Sequence, residues 1–153
     1  MITSHETPEG LEADSAAHMN FTINRRWLVL FALMLLFIAA VSAGADVGII
    51  PTKLFGITYA DKAGHFVLYG TLAFLLHLAL NRRAIHIGAI AIPIAFLIAC
   101  ALGLADEGQQ YFMPHRAFDL SDFAADVVGI ALFIWALEIW DKRTLTESAT
   151  RLE

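Results

Sequence analysis

Hydrophobic and polar positions along this chain fall into long blocks rather than the short alternations of a soluble domain. A polar, acidic stretch over Met1–Asn20 and the pair Arg25 and Arg26 precede an uncharged run from Trp27 to Ala45, whose 19 residues approach the ~20 needed to cross ~30 Å of hydrocarbon. The run predicts a first membrane helix over about 27–45. Asp46–Lys62 carries Gly48, Pro51 and Gly56, which break periodicity and predict a loop. A second helix is expected over about 63–80 with Asp61 as its N-cap, followed by the turn Asn81, Arg82, Arg83. A third is expected over about 84–105, with Pro93 tolerated as a kink because neighbouring helices satisfy the freed carbonyl. A fourth is expected over about 120–140. The reading is an all-α membrane protein, a four-transmembrane-helix bundle over residues 25–143, with a disordered tail over 1–24 and a polar tail over 144–153.

Composition agrees. The chain of 153 residues is 58% hydrophobic and 16% charged, with a mean hydropathy of +0.65, too little charge to cover a soluble core. The net charge of -5 argues against a nucleic-acid partner. The single cysteine, Cys100, excludes an internal disulfide. The first apolar run also imitates a signal peptide, but its length and the acidic stretch before it favour a retained helix.

Arg25, Arg26, Arg82, Arg83, Lys142, Arg143 and Arg151 map to one side of this topology and only Lys53, Lys62 and Arg116 to the other, seven against three. The positive-inside rule then places both termini in the cytoplasm. Trp27, Trp135 and Trp140 lie toward the same side, as part of an aromatic belt would. The chain is then expected to cross its membrane several times, with the polar chemistry facing the extracytoplasmic side.

Three polar clusters reach that outer side. Asp61, His65 and Tyr69 recur at i, i+4 and i+8 on one face of the second helix. Glu107 and Gln110 share a face, with Pro114, His115 and Arg116 shortly after. Asp119, Asp122 and Asp126 form a stripe on the fourth helix that descends ~10 Å along its axis. Six acids, Asp61, Asp106, Glu107, Asp119, Asp122 and Asp126, surround two cations, Lys62 and Arg116, so some carboxyls must be protonated, solvated or cation-bound. Arg116, with its planar fork, is the residue expected to bridge carboxylates from two helices. Plainer roles compete: Asp61 as a cap, Asp119 and Asp122 as partners of the helix dipole, His65 as an interhelical hydrogen-bonding residue. Asp126 lies too deep for capping, and a functional role is expected there. Glu138 and Lys142 read as an i, i+4 ion pair, and His77 and His86 as isolated residues. A metal set of His65, Glu107 and Asp122 is conceivable but matches no standard ligand spacing, so neither metal nor cofactor is expected.

The order Asp61-Lys62-x-x-His65-Phe66-x-x-Tyr69, then Glu107-x-x-Gln110-x-Phe112-x-Pro114-x-Arg116, then Asp122 and, after Asp126, Gly129, resembles the VanZ-like family of small bacterial membrane proteins. The likeness covers about Asp61–Gly129 and leaves out the N-terminal tail and C-terminal segment. Asp126 stands where that family commonly has asparagine. The resemblance implies a multispanning protein of a bacterial inner membrane, in a family named after a member linked to low-level resistance to the glycopeptide teicoplanin. It implies no settled activity, because one architecture hosts different functions.

The binding set expected from these observations is Asp61, Lys62, His65, Tyr69, Glu107, Gln110, Arg116, Asp119, Asp122 and Asp126. Its expected ligand is a membrane lipid or lipid-linked envelope precursor, held by cations on phosphate and by carboxylates on amines or hydroxyls. Two alternatives stand beside it. One is an envelope-lipid hydrolase or transferase using His65 as base and Glu107 as acid. The other is a proton-coupled transporter titrating Asp126, for which so short a chain would require a homo-oligomer.

Overall fold

The computed structural model describes residues 22–47, 49, 60–112 and 119–150, with side chains as far as Arg143. The described residues form helices α1 (Arg25–Asp46), α2 (Ala60–Ala79), α3 (Ile94–Gln110) and α4 (Leu120–Thr150). Between α2 and α3 lies a two-stranded antiparallel hairpin, β1 (Ala84–Ile87) and β2 (Ile90–Pro93).

Direction follows from the tertiary hydrogen bonds. Asn24 at the start of α1 donates its N–H to the carbonyl of Ala79 at the end of α2, at 2.9 Å, so α1 and α2 run antiparallel. From α2 to α4 the contacts keep a nearly constant offset: Lys62 meets Asp122, His65 meets Asp126, His77 meets Glu138 and Arg82 meets Asp141, pairs 59 to 61 residues apart. Both partners advance together along the chain, so α2 and α4 run parallel. The starts of α2 and α4 and the end of α3 therefore share one end of the protein, and Asp106 of α3 brings in Ser42 near the end of α1.

The α2–α4 seam is close because small residues allow it. A Cβ on Gly129 would lie 2.2 Å from the Phe66 carbonyl oxygen, and one on Gly70 would lie 2.7 Å from the Phe133 ring. Around the seam Leu72, Ala73, Leu76, Ala95, Ala99, Ile130 and Ile134 form the core, joined from α1 by Ile38. Outside it the helices are apolar and uncovered: Leu33, Leu36, Phe37, Val67, Leu104, Val128 and Trp135 are all exposed. Helix α1 and Leu120–Arg143 of α4 are long and apolar enough to cross a membrane, with only 17% and 22% of their most apolar windows buried. A soluble protein hides such helices in its core; these present their apolar sides outward, as lipid permits.

Four expectations change. The helix expected from Ala84 begins only at Ile94, because residues 84–93 pair as a hairpin through Ala84–Pro93, Ile85–Ile92, His86–Ala91 and Ile87–Ile90. The reason is local: β-branched residues alternate on one face, and Gly88, at φ +61, begins a two-residue turn. Pro93 then stands at the N-cap of α3, where a missing N–H costs nothing, rather than kinking a helix interior. Asp61 lies inside the first turn of α2 rather than at its cap. Helix α4 continues past Trp140 to Thr150, because no glycine or proline interrupts it, so the expected C-terminal tail is largely helical. Most of the expected N-terminal tail lies outside the described residues.

Candidate functional site

The first turns of α2 and α4 and the last turn of α3 supply a connected polar cluster. Asp119 caps α4: its Oδ1 accepts from the Ser121 N–H at 2.8 Å and the Ser121 hydroxyl at 2.6 Å. Glu107 Oε1 accepts from the Asp119 N–H at 2.6 Å, which ties the end of α3 to the start of α4. Lys62 donates from α2 to Asp119 Oδ2 at 2.9 Å and to Asp122 Oδ1 at 2.7 Å, and also meets the Ser121 hydroxyl. Ser121 and Lys62 together hold the Asp119 carboxyl below its usual range, Ser121 contributing most.

One turn deeper, His65 Nδ1 lies 3.0 Å from Asp126 Oδ1. The His65 ring stacks on Tyr69, centroids 6.2 Å apart and planes within 5°. Asp126 is 1% exposed, and among the described residues its second oxygen, Oδ2, has no hydrogen-bond partner. Gly103 of α3 makes room for that oxygen: a Cβ there would lie 3.0 Å from Oδ2. Toward the rim, one ligand atom from each of Asp61, His65 and Asp122 lies within 4.8 Å of the other two. Glu107, Asp122 and Asp126, with the neutral amide of Gln110, are all buried, an expensive arrangement for polar and ionisable groups unless they serve one another.

The sequence-derived set is thus brought together with three qualifications. Arg116, with Pro114 and His115, lies outside the described residues, and the cation seen bridging two carboxylates is Lys62. Gln110 is buried at the same end, with its Nε2 unpartnered among the described residues. The acid that joins His65 and Asp122 is Asp61, whereas Glu107 binds the start of α4.

Sequence reasoning missed three contacts, one at this end and two at the other. Ser42 of α1 donates to Asp106 Oδ1 at 2.9 Å, and only the one Ser in a run of alanines and glycine could have flagged it. At the opposite end His77, read as isolated, lies 2.8 Å from Glu138 Oε1, while Arg82 meets Asp141. The signal was present: the His77–Glu138 spacing repeats that of His65–Asp126, 61 residues in each case.

Fold and site define a small helical membrane protein with a buried, acid-rich polar cluster at one end of its helices and a smaller set of ion pairs at the other. The chain belongs to the VanZ/LLP1 family, whose model matches residues 3–141. The match takes in most of the N-terminal tail, well beyond the Asp61–Gly129 stretch that first carried the likeness. An uncharacterised protein of the yeast Schizosaccharomyces pombe is similar, 29% identical over 132 residues that cover 84% of this chain and 73% of the relative. No solved structure matches the chain.

Proposed function

We propose that this protein binds the headgroup of an envelope lipid or lipid-linked precursor at the outer rim of the membrane. In this reading all four helices cross the bilayer, with the Arg-rich end in the cytoplasm and both termini inside. At 1.5 Å per residue α2 is about 30 Å long and α3 about 25 Å, enough for such a crossing when the hairpin occupies the inner interface. Among the described residues, Arg25, Arg26, Arg82, Arg83, Lys142 and Arg143 at one end against Lys62 at the other give the Lys/Arg asymmetry that sets orientation.

The observation that carries the reading is the Lys62 bridge. One ammonium, itself partly exposed, is shared by exposed Asp119 and buried Asp122 at the end of the helices where the polar groups gather. An incoming phosphate takes Lys62 and releases carboxylates for an amine or hydroxyl of the same headgroup. Lys62→Gln should remove headgroup binding while the protein stays in the membrane. The test compares envelope lipids of a deletion strain carrying wild type or variant; an unchanged lipid profile on deletion refutes the reading. Teicoplanin sensitivity measured in the same strains tests whether the family's eponymous phenotype extends to this chain.

A second reading, a lipid hydrolase or transferase, draws on the Asp126–His65 pair. A carboxylate on Nδ1 fixes the imidazole tautomer and leaves Nε2 as a base. Turnover of extracted envelope lipids by purified protein, lost in His65→Gln, would favour it over binding alone. Proton-coupled transport through Asp126 is the third reading, and it fails if Asp126→Asn supports function at every pH.

A further inference from the structure

We propose that Asp61, His65 and Asp122 form a binding site for a divalent transition-metal ion of the Zn2+ or Mn2+ class. Their ligand atoms already converge to within 4.8 Å of one another, from two turns of α2 and the first turn of α4. Around an ion with ligands at about 2.1 Å, neighbouring ligand atoms sit roughly 3.4 Å apart, so a modest contraction closes the set. Exposed Asp61, in the first turn of α2, is the member freest to move in.

Asp126 is the independent observation that makes this more than an acidic patch. It is buried, it holds His65 Nδ1, and its other oxygen is unpartnered among the described residues. A carboxylate behind an imidazole orients the ring and raises its basicity, the outer-shell partner that metal-bound histidines usually have. With Nδ1 on Asp126, Nε2 is the nitrogen left for the metal. Gly103 preserves the arrangement, since a side chain there would press on the Asp126 carboxyl.

The donor set selects the ion. One imidazole and two carboxylates suit Zn2+, a borderline ion, and Mn2+, a harder ion that accepts a histidine beside carboxylates, better than Ca2+ or Mg2+, which prefer oxygen throughout. Three protein ligands also leave a coordination position open. Lys62 is a built-in competitor, because its ammonium already lies 2.7 Å from Asp122 Oδ1. A metal must draw Asp122 from it while Asp119, at 2.9 Å, retains the lysine.

The test uses the full chain in detergent, stripped with chelator and titrated with Zn2+ or Mn2+ by calorimetry and metal analysis, with folding followed by circular dichroism. Wild type should take up one equivalent of either ion, with little response to Ca2+. Asp61→Asn, at the exposed rim, and His65→Gln should each weaken binding roughly 100-fold or more, and Asp126→Asn by about 10–100-fold. Lys62→Met should tighten it about tenfold by removing a nearby positive charge. A folded wild type that takes up no metal overturns the proposal, as does undiminished binding by folded Asp61→Asn. Lys62→Met also separates this site from the headgroup reading, because there the same change abolishes binding.

Discussion

Gly129 sets α4 directly against the backbone of α2 at Phe66, and replacing it with alanine probes the seam that positions the site. The added Cβ would sit 2.2 Å from the Phe66 carbonyl oxygen, with the Phe66 carbonyl carbon at 2.9 Å. A carbon and a carbonyl oxygen in contact ordinarily lie about 3.3 Å apart or more, so the helices must separate locally by about 1 Å. The obstacle is backbone, which cannot rotate away as the Phe133 ring beside Gly70 can. A radial gap of about 0.5–1 Å already forfeits a quarter to a half of the dispersion attraction across it. Without a hydrophobic driving force between helices in lipid, that attraction is a main term. We expect a destabilisation of about 2–3 kcal/mol, the upper part of the range for overpacking. Gly64→Ala is the control, since a Cβ there meets nothing within 4 Å. As an ordinary Gly-to-Ala change in a helix it should stabilise by about 0.5–1 kcal/mol. The assay is denaturant unfolding in mild detergent followed by helical circular dichroism, with equal slopes required for comparison. If Gly129→Ala keeps the wild-type midpoint, or moves it upward with Gly64→Ala, the close parallel seam is wrong.

Three further outcomes follow. Glu138→Ala should cost about 1–3 kcal/mol, because it leaves buried His77 without its partner, and a double-mutant cycle with His77→Leu should recover most of that loss. Gly103→Ala should reduce whatever activity or binding depends on Asp126 while leaving helix content intact, since its Cβ would press on Oδ2 at 3.0 Å; equal function in Gly103→Ala and wild type would count against an ordered Asp126. Asp119 is depressed in the folded state, so its contribution to stability is present above the ordinary carboxylate range and is lost as the pH falls through the folded-state value. Asp119→Asn should therefore flatten the acid limb of the unfolding profile, and an identical limb in both proteins would remove Asp119 from the acid response.

The sequence by itself determined the helical blocks, the expectation of lipid around them and the gathering of acids at one end. Block length and hydropathy are local properties, and alternating helix direction then sorts Asp61, Glu107, Asp119 and Asp126 to the same side. It also contained, unread, the hairpin over residues 84–93: alternating isoleucines with Gly88 are a strand signal, but they sit in an apolar run whose overall length suggested one continuous helix. Only the tertiary structure decided who meets whom. Which face of α2 turns toward α4 depends on the close approach at Gly129 and Gly70, a contact between segments some 60 residues apart that no local period encodes. That rotation, acting with the parallel alignment, puts Lys62 on Asp122, His65 on Asp126 and Asp61 beside both His65 and Asp122. A stripe of acids along one helix has many possible partners until a second helix is packed against it, and the packing of small residues made the choice.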